Sequence, residues 1–315
     1  MTDENSIQDP STGTVAILLG VFNGEAYLRE QIDSLSRQSH PRIDIWASDD
    51  GSTDSSPAIL RESAARWRKG SFEVLLGPRT GFAENFRSLL VDPSIRADYF
   101  AFCDQDDIWM PDKLSAAVAW LAAQAGPALY CSRTQLIDVE GRHIGLSPRF
   151  AKKPSFRNAL VQSIAGGNTM VMNRAARELV AEASRRTSFI SHDWWCYLVV
   201  SGAGGRVHHS PRPHILYRQH DANLVGANNS MRARFSRYAF MHKGGFADWT
   251  SRNLAGLKAC RDLLNDDALE VIHQVELSRG KSLPGRLGLL YRSGVYRQTT
   301  GGTLGLYLAS SLNRL

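Results

Sequence analysis

Three carboxylates stand within four positions of one another in FCDQDDIWMPDKL, residues 102–114. Asp104, Asp106 and Asp107 directly follow an apolar run and precede a tryptophan. Clustered carboxylates repel one another unless a cation lies between them. Mg²⁺ binds one or two carboxylates together with phosphate oxygens and water, and Mn²⁺ accepts similar ligands. The cluster is therefore a candidate site for a metal ion and a diphosphate, although a solvated acidic turn that caps the next helix has the same composition.

The residues that lead up to this cluster predict strands that alternate with helices. Short apolar runs occupy residues 14–22, 43–50 and 72–77, and helical spacing of apolar residues follows them. This order predicts a mostly parallel central sheet with helices on both faces. In such sheets ligands bind beyond the carboxyl ends of the strands.

Polar residues follow two other predicted strands at the same edge of the sheet. Phe22, Asn23 and Glu25 follow the first strand, and Asp49 and Asp50 end the second. Turn formation and helix capping account for such residues equally well. Neither G-x-G-x-x-G nor G-x-x-x-x-G-K-[ST] occurs in the sequence, which disfavours a dinucleotide dehydrogenase or a P-loop enzyme.

The composition is that of an ordinary globular protein, with 43% hydrophobic and 22% charged residues. The first 13 residues contain no lysine or arginine and do not resemble a secretory signal. No apolar run reaches the roughly 18 residues of a membrane-spanning helix. The four cysteines are widely spaced, as suits a reducing compartment. We therefore expect a cytoplasmic protein.

The net charge of +6 lies largely in the C-terminal tail. No acid follows Glu276, while the basic residues that follow it are Arg279, Lys281, Arg286, Arg292, Arg297 and Arg314. Leucines and tyrosines are interleaved with these cations, which favours an anionic membrane surface over nucleic acid as a partner. A basic helix packed on its own domain is the competing interpretation. We expect peripheral binding to the inner face of the cell membrane, and homodimerisation through the tail stays open.

The segments FNGEAYLREQIDSLSRQ, SDDGSTDSS and FCDQDDIWMPDKL together resemble the family 2 glycosyltransferases, which have the GT-A fold. Two later segments, GGNTMVMNR and HDWW with YRQHDANLVG, resemble especially the bacterial rhamnosyltransferase-like branch that builds cell-surface polysaccharide. The resemblance covers residues 13–225 and implies a GT-A domain there. The polar, acidic composition of residues 1–12 predicts a flexible tail, and the apolar spacing beyond residue 226 predicts a helical, basic C-terminal region over residues 226–315.

The same resemblance implies a nucleotide-diphosphate sugar donor, dTDP- or UDP-linked, at the strand ends. Its expected contacts are Phe22, Asn23, Glu25, Asp49, Asp50, Arg79, Asp104 and Gln105. Asp49 is expected to hold the nucleoside through its base, with Asp50 as its near rival, and Asp104 to contact the sugar or ribose. Relatives often carry asparagine where Arg79 and Thr80 stand here, so a phosphate contact is the hypothesis for Arg79.

The expected metal is Mn²⁺ or Mg²⁺, held by Asp106 and Asp104 with His220 as a further ligand, and it would act as a Lewis acid on the leaving diphosphate. Asp193 is the expected base that takes the proton of the acceptor hydroxyl in an inverting reaction. The residues expected on the acceptor side are Gly166, Gly167, Asn168, Trp194 and Trp195. Helix capping, a plain turn and core packing remain alternative roles for these residues.

The leading hypothesis is thus a metal-dependent, inverting glycosyltransferase, with rhamnose from dTDP-rhamnose as the favoured donor and a glycan or polyprenyl-linked acceptor. A sugar-nucleotide nucleotidyltransferase has a similar sheet and acidic site, but residues 20–28 lack the basic residues of its usual glycine-rich loop. A non-catalytic, membrane-associated nucleotide-binding protein is the third alternative, and it gives Asp193 no role.

Overall fold

A computed structural model describes residues 13–220 and 245–312. The strands are β1 (Val15–Val21), β2 (Ile43–Asp49), β3 (Phe72–Leu76), β4 (Tyr99–Cys103), β5 (Ile108–Trp109), β6 (Ala128–Ser132), β7 (Gln135–Ile137), β8 (His143–Leu146), β9 (Val171–Asn173), β10 (Arg206–Ser210) and β11 (Ile215–Arg218). The predicted N-terminal tail and the predicted boundary between residues 225 and 226 lie outside the described residues.

The α-helices alternate with these strands in the first half of the chain and follow one another near its end. They are α1 (Leu28–Ser36), α2 (Ser56–Arg66), α3 (Phe82–Val91), α4 (Lys113–Leu121), α5 (Phe156–Ala159), α6 (Arg174–Arg186), α7 (His192–Gly202), α8 (Gly245–Ala259), α9 (Asp266–Arg279), α10 (Leu283–Ser293) and α11 (Thr300–Ser311). Short 3₁₀ helices cover Gly167–Thr169 and Arg261–Leu263. No helix among the described residues is long and apolar enough to cross a membrane.

The central sheet has seven strands in the order β10-β6-β9-β4-β1-β2-β3. All of its neighbouring strands run parallel except β9, which is antiparallel to both β4 and β6. A second sheet has the order β5-β11-β7-β8. The prediction of a mostly parallel central sheet flanked by helices is confirmed.

The strand register places the carboxyl ends of β1, β2 and β4 next to one another at one edge of the sheet. Val21 of β1 pairs with Asp49 of β2, and Leu19 of β1 pairs with Cys103 of β4. Residues that directly follow these three strands therefore meet at one edge of the sheet, as expected for a parallel sheet whose ligand site lies at the strand ends.

Strand β1 is apolar throughout because the sheet is covered on both faces. Ala16 and Leu18 pack toward one core cluster, whereas Val15, Ile17 and Leu19 pack toward another. Helices α3, α6 and α7 contribute to the first cluster, and α1, α2 and α4 to the second. A side chain on either face is thus removed from water, which explains why the strand does not alternate between apolar and polar residues.

The C-terminal helices share the core of the domain. Leu254, Val271, Leu290 and Leu306 belong to the same buried cluster as Phe100 of β4. Thus the interpretation of the tail as helices packed on their own domain applies to the described part of the tail.

His192, the first residue of α7, lies inside this core. Its ring centroid is 4.0 Å from that of Phe86 and 4.6 Å from that of Phe102. Neither ring nitrogen has a hydrogen-bond partner among the described residues. Burial lowers the pKa of His192 to about 4, although the charge of neighbouring Asp193 opposes the fall. The folded protein therefore holds this imidazole neutral at pH 7.

We predict that His192 makes the folded state sensitive to acid. The unfolded chain binds a proton at His192 near pH 6.5 and the folded chain only near pH 4, so the free energy of unfolding falls as the pH falls through this window. Between pH 7 and pH 5 the loss from this residue is about 2 kcal/mol. Urea unfolding at pH 7 and pH 5 measures the loss of unfolding free energy on acidification. We expect this loss to be about 2 kcal/mol smaller in His192→Gln than in wild type. An equal loss of unfolding free energy in His192→Gln and in wild type would contradict the buried, neutral state of His192.

Candidate active site

The loops after β1 and β2 are tied together by hydrogen bonds between them. The Asn23 Oδ1 accepts a hydrogen bond from the Thr53 backbone N–H at 2.8 Å, and the Glu25 Oε2 accepts one from the Ser55 N–H at 2.9 Å. The Gly24 N–H donates to the Ser56 Oγ at 2.8 Å. Asn23 and Glu25, both predicted to contact the donor, thus have a structural role that fixes the shape of this edge.

Gln105, between the first two acids of the cluster, fixes the acidic turn to the end of β1. Its amide accepts from the Phe22 backbone N–H at 2.8 Å and donates to the Phe22 carbonyl at 3.0 Å. Gly24 leaves room for this contact, because a Cβ there would lie 2.5 Å from the Gln105 Oε1. The ring of Phe22 is 55% exposed beside this contact and is available for stacking.

Asp49 and Asp50 are both buried, but they differ in their partners. The two carboxylate oxygens of Asp50 accept hydrogen bonds from the backbone N–H groups of Arg79, at 2.6 Å, and Gly81, at 2.9 Å. The Asp49 Oδ1 accepts one from the Ser52 N–H at 3.0 Å, and its Oδ2 has no hydrogen-bond partner among the described residues. Asp50 therefore shapes the loop that carries Arg79, and the nucleoside contact of Asp49 stays a prediction.

The loop held by Asp50 brings Arg79 over the turn after β2. Arg79 has a positive φ of 60°, one of two such non-glycine residues in the described chain. A Cβ on Gly51 would lie 3.1 Å from the Arg79 Cγ, so the arginine side chain covers this glycine. Arg79 therefore lies at the strand ends, where a phosphate contact is sterically accessible. The phosphate contact itself stays a prediction.

Asp107 is the innermost acid of the cluster and is only 1% exposed. Its carboxylate accepts hydrogen bonds from the Asn168 Nδ2, at 2.5 Å, and the Arg218 backbone N–H, at 3.3 Å. Burial, together with the charges of Asp106 and Asp104, raises the pKa of Asp107. Asn168, predicted on the acceptor side, thereby anchors the Gly166–Asn168 segment to the acidic turn.

Asp104 and Asp106 are partly buried at the mouth of the turn. Burial, reinforced by the charges of Asp106 and Asp193, raises the pKa of Asp104 to about 7, and Lys113 opposes the rise. Asp193, the predicted base, therefore lies close enough to the acidic turn for its charge to act there, although 86 residues or more separate them in sequence.

Asp106 contacts His220, the third predicted metal ligand, directly. Its Oδ2 lies 2.8 Å from the Nε2 of His220, whose ring stacks on Tyr27 at a centroid distance of 5.5 Å. Two ligands at right angles on one Mg²⁺, each at about 2.1 Å, lie about 3 Å apart, so this pair has a spacing that suits a shared cation.

Asp106 and His220 fit a metal that takes its other ligands from a phosphate and water. No group of three His, Cys, Asp or Glu side chains in the described ranges is arranged to hold a metal ion. Mg²⁺ commonly uses only one or two carboxylates and completes its shell with substrate phosphates and water. The two metal ligands Asp106 and His220 therefore fit a metal ion that binds together with a diphosphate. Asp104 stays a predicted ligand.

Arg218 is a site residue that the sequence analysis did not single out. Its buried guanidinium donates to the Glu30 Oε2 at 2.5 Å and to the Asp106 carbonyl at 3.2 Å, and it lies 4.5 Å from the ring centroid of Tyr27. It thus joins α1, the acidic turn and β11. Its spacing of two from His220 on an extended segment was the only sequence signal for this role.

Asp193 is the second residue of α7, and its side chain is partly buried. Its Oδ1 accepts a hydrogen bond from the Trp194 N–H at 2.7 Å. Trp194 and Trp195 are buried, and their indole N–H groups donate to the Ala159 carbonyl and the Ser184 Oγ. Both tryptophans therefore have the core-packing role that the sequence left open, and they position the turn that carries Asp193.

Gly167 is required by the packing of His192 beneath this turn. A Cβ on Gly167 would lie 1.8 Å from the His192 Nε2. The Gly166–Asn168 segment thus packs against His192 at the start of α7 and bonds to Asp107 of the acidic turn. The acceptor role of Gly166 and Gly167 stays a prediction.

Known proteins share this sequence pattern and this fold. The chain is 28% identical over 227 residues to the dTDP-rhamnosyl transferase RfbG of Shigella flexneri, covering 70% of this chain and 77% of that one. It is 34% identical over 101 residues to the putative glycosyltransferase EpsH of Bacillus subtilis, covering 32% of this chain and 28% of that one.

The solved structure of residues 1–349 of S. aureus TarS in complex with UDP-GlcNAc superimposes with a TM-score of 0.54 at 14% identity, covering 95% of this chain and 90% of that one. At this identity the likeness bears on the fold, which is GT-A. The family model described as glycosyl transferase family 2 matches residues 16–181, more than half of the chain. These matches cover the strands that end at the candidate site, and the chain therefore belongs to glycosyl transferase family 2.

Proposed function

We propose that this protein transfers rhamnose from dTDP-rhamnose to a hydroxyl of a glycan or polyprenyl-linked acceptor, with inversion at the anomeric carbon. The observation that supports the transfer reaction is that Asp106 lies 2.8 Å from His220 in the same turn where burial and the charges of Asp106 and Asp193 raise the pKa of Asp104. This arrangement would bring the proposed diphosphate site and the proposed base together. The likeness to a dTDP-rhamnosyl transferase over 70% of the chain supports the choice of donor.

The donor is proposed to lie along the ends of β1, β2 and β4. The exposed ring of Phe22 would stack on the base, and Asp49 would accept a hydrogen bond from it through Oδ2. Arg79 would contact the diphosphate from the opposite loop. UDP is the alternative nucleotide.

In the proposed reaction the acceptor oxygen forms a bond to the anomeric carbon as the bond from that carbon to the diphosphate oxygen breaks. The Asp193 carboxylate takes the proton of the acceptor hydroxyl, and the nucleoside diphosphate leaves with the bonding electron pair. Asp106 and His220, with Asp104, would hold Mn²⁺ or Mg²⁺. When bound, the metal supplies positive charge to the diphosphate as it leaves.

Asp106→Asn should reduce donor turnover by about two to three orders of magnitude, because it removes a charge that holds the diphosphate site together. The measurement is release of dTDP from dTDP-rhamnose with Mn²⁺ and an extract of lipid-linked glycans. The matched control is Asp33→Asn, since Asp33 is an exposed residue of α1. Thermal unfolding should show both variants folded, and retained Mn²⁺-dependent turnover in Asp106→Asn would exclude this role.

Asp193→Asn should separate binding from transfer. The amide keeps an oxygen that accepts the Trp194 N–H but does not take up a proton, so donor affinity should stay near that of wild type while transfer falls by about 10²- to 10⁴-fold. Calorimetric titration of dTDP with Mn²⁺ gives the affinity, and the release assay gives the rate. A transfer rate like that of wild type would remove Asp193 as the base.

We also propose that α10 and α11 dock on an anionic membrane that carries the acceptor. Leu304 and Leu308 of α11 and Leu312, directly after its end, are spaced four residues apart and are all exposed, and Tyr291 of α10 is 77% exposed. The Arg286 guanidinium donates to the Ser310 carbonyl at 2.9 Å, which ties the start of α10 to the end of α11. Exposed leucines that project from an acid-free, basic segment complement a bilayer with anionic headgroups.

This surface adjoins the segment that leads to the acceptor side. The Asn158 Nδ2 donates to the Tyr296 carbonyl at 3.0 Å, and the Gln298 N–H donates to the Gln162 Oε1 at 2.8 Å. Residues 155–162 continue into Gly166–Asn168. A membrane-bound α10 and α11 would thus lie beside the chain that borders the acceptor.

The double substitution Leu304→Ser with Leu308→Ser should weaken binding to phosphatidylglycerol vesicles on the order of tenfold, because two inserting side chains are lost. Vesicle co-sedimentation measures the bound fraction. Ile144→Ser with Leu146→Ser on β8 is the matched control, since both residues are also exposed. Point substitutions are sharper than truncation after Glu276, which would remove the buried Leu290 and Leu306. Docking through α11 would be contradicted if both double variants lost vesicle binding equally, or if neither lost any.

A further inference from the structure

The ring of Tyr27, the residue directly before α1, packs against two side chains that reach the acidic turn. The ring of His220 stacks on it, with a centroid distance of 5.5 Å and an angle of 27° between the two planes. The guanidinium carbon of Arg218 lies 4.5 Å from the same ring centroid. Stacked rings, and a cation over an aromatic face, attract one another beyond the area that they bury. One aromatic ring thus contacts both side chains, and one of them is the imidazole that faces Asp106.

Arg218 holds its place against Tyr27 through bonds to other elements. Its guanidinium donates to the Glu30 Oε2 at 2.5 Å and to the Val139 carbonyl at 3.0 Å. Its backbone N–H donates to the Asp107 Oδ1 at 3.3 Å. The side of the Tyr27 ring that Arg218 contacts is therefore fixed by α1, by the chain after β7 and by the acidic turn.

The backbone of Tyr27 closes the turn that follows β1. Its N–H donates to the Gly24 carbonyl at 3.1 Å, and its carbonyl accepts from the Gln31 N–H at 3.0 Å. The same turn carries Phe22 and Asn23, which are proposed and predicted to contact the donor. Tyr27 therefore joins this loop to the segment that carries His220.

The orientation of the His220 ring decides whether its nitrogen can share a cation with Asp106. An imidazole binds a metal ion along the lone pair of one nitrogen, so groups that fix the plane of the ring raise its affinity for the metal. The stacking on Tyr27 constrains the plane of the His220 ring, and the Nε2 of that ring lies 2.8 Å from the Asp106 Oδ2.

We propose that Tyr27 is a positioning residue for the metal site: its ring holds the imidazole of His220 in the orientation that a divalent cation shared with Asp106 requires. This inference rests on the proposed function, because it assumes that Asp106 and His220 receive a metal ion with a nucleotide diphosphate. It assigns Tyr27 no contact with the metal or the donor.

Tyr27→Leu should lower the affinity for Mn²⁺ in the presence of dTDP by roughly 10- to 100-fold, the usual cost of removing a group that orients a metal ligand. The coupling of Mn²⁺ to the imidazole nitrogen should weaken or disappear, because the His220 ring loses its support. Tyr27→Phe keeps the aromatic ring and should retain the affinity and the nitrogen coupling of wild type.

The experiment is electron paramagnetic resonance of the full chain with Mn²⁺ and dTDP, which gives the affinity by titration and the nitrogen coupling from the spectrum. The matched control is Trp120→Leu, since Trp120 is also partly buried and stacks on a histidine, His208 of β10, at 5.2 Å. That control should leave Mn²⁺ binding unchanged. Thermal unfolding checks that each variant is folded.

A double variant tests whether Tyr27 acts through His220. His220→Ala removes the imidazole itself, so adding Tyr27→Leu to it should lower the Mn²⁺ affinity no further if the two side chains act as one unit. A role of Tyr27 in the general packing of the turn would instead add its own loss in both backgrounds.

The outcomes separate this inference from the proposed function. If wild type binds no Mn²⁺ with dTDP, the metal-dependent function fails and the inference fails with it. If wild type binds Mn²⁺ without nitrogen coupling, the inference is overturned while a site of carboxylates and diphosphate stands. Nitrogen coupling in Tyr27→Leu equal to that of wild type, or a further loss in the double variant, also overturns it. If Tyr27→Leu does not fold, Tyr27→Met, which also lacks the ring, is judged by the same criteria.

Discussion

Repulsion among carboxylates at the ends of parallel strands is the constraint on which the rest of this site depends. The register of β1, β2 and β4 leaves the residues that follow these strands in one small volume. Asp104, Asp106 and Asp107 meet there, and Asp193 adds its charge from α7. The protein tolerates this concentration because each acid has a different compensation. Asp107 accepts hydrogen bonds from Asn168 and Arg218, the Asp106 carboxylate lies 2.8 Å from the His220 Nε2, and the charge of Lys113 opposes the rise in the pKa of Asp104 that burial causes.

Hydrogen bonds from neighbouring elements also hold the acidic turn and the adjacent loops in place. Gln105 ties the acidic turn to β1, and Arg218 ties it to α1, so the turn is held from two sides. The loops after β1 and β2 are held together by backbone donors to Asn23, Glu25 and Asp50. The proposed donor would therefore meet groups that are already in place, which would reduce the ordering needed on binding.

The sequence predicted the sheet, and the position of the acids at the ends of its strands, because both follow from local patterns. A strand covered on both faces, such as β1, is apolar throughout, and the acids fall directly after such strands. The roles of single side chains were less accessible, since their partners are distant in sequence. Arg218 bonds to Glu30 across 188 residues, and Asn168 bonds to Asp107 across 61. The burial of Lys113, the first residue of α4, could not be predicted for a different reason: lysine is almost always exposed, and no local pattern distinguishes a buried one.

Electron paramagnetic resonance of Mn²⁺ with the protein and dTDP tests most directly whether the acidic turn binds a metal and a diphosphate together. The expected result is an immobilised Mn²⁺ signal that requires both protein and nucleotide, with hyperfine coupling to phosphorus from the diphosphate and to nitrogen from the imidazole of His220. A spectrum identical to that of Mn²⁺ with dTDP in buffer would contradict a metal–diphosphate site at these carboxylates.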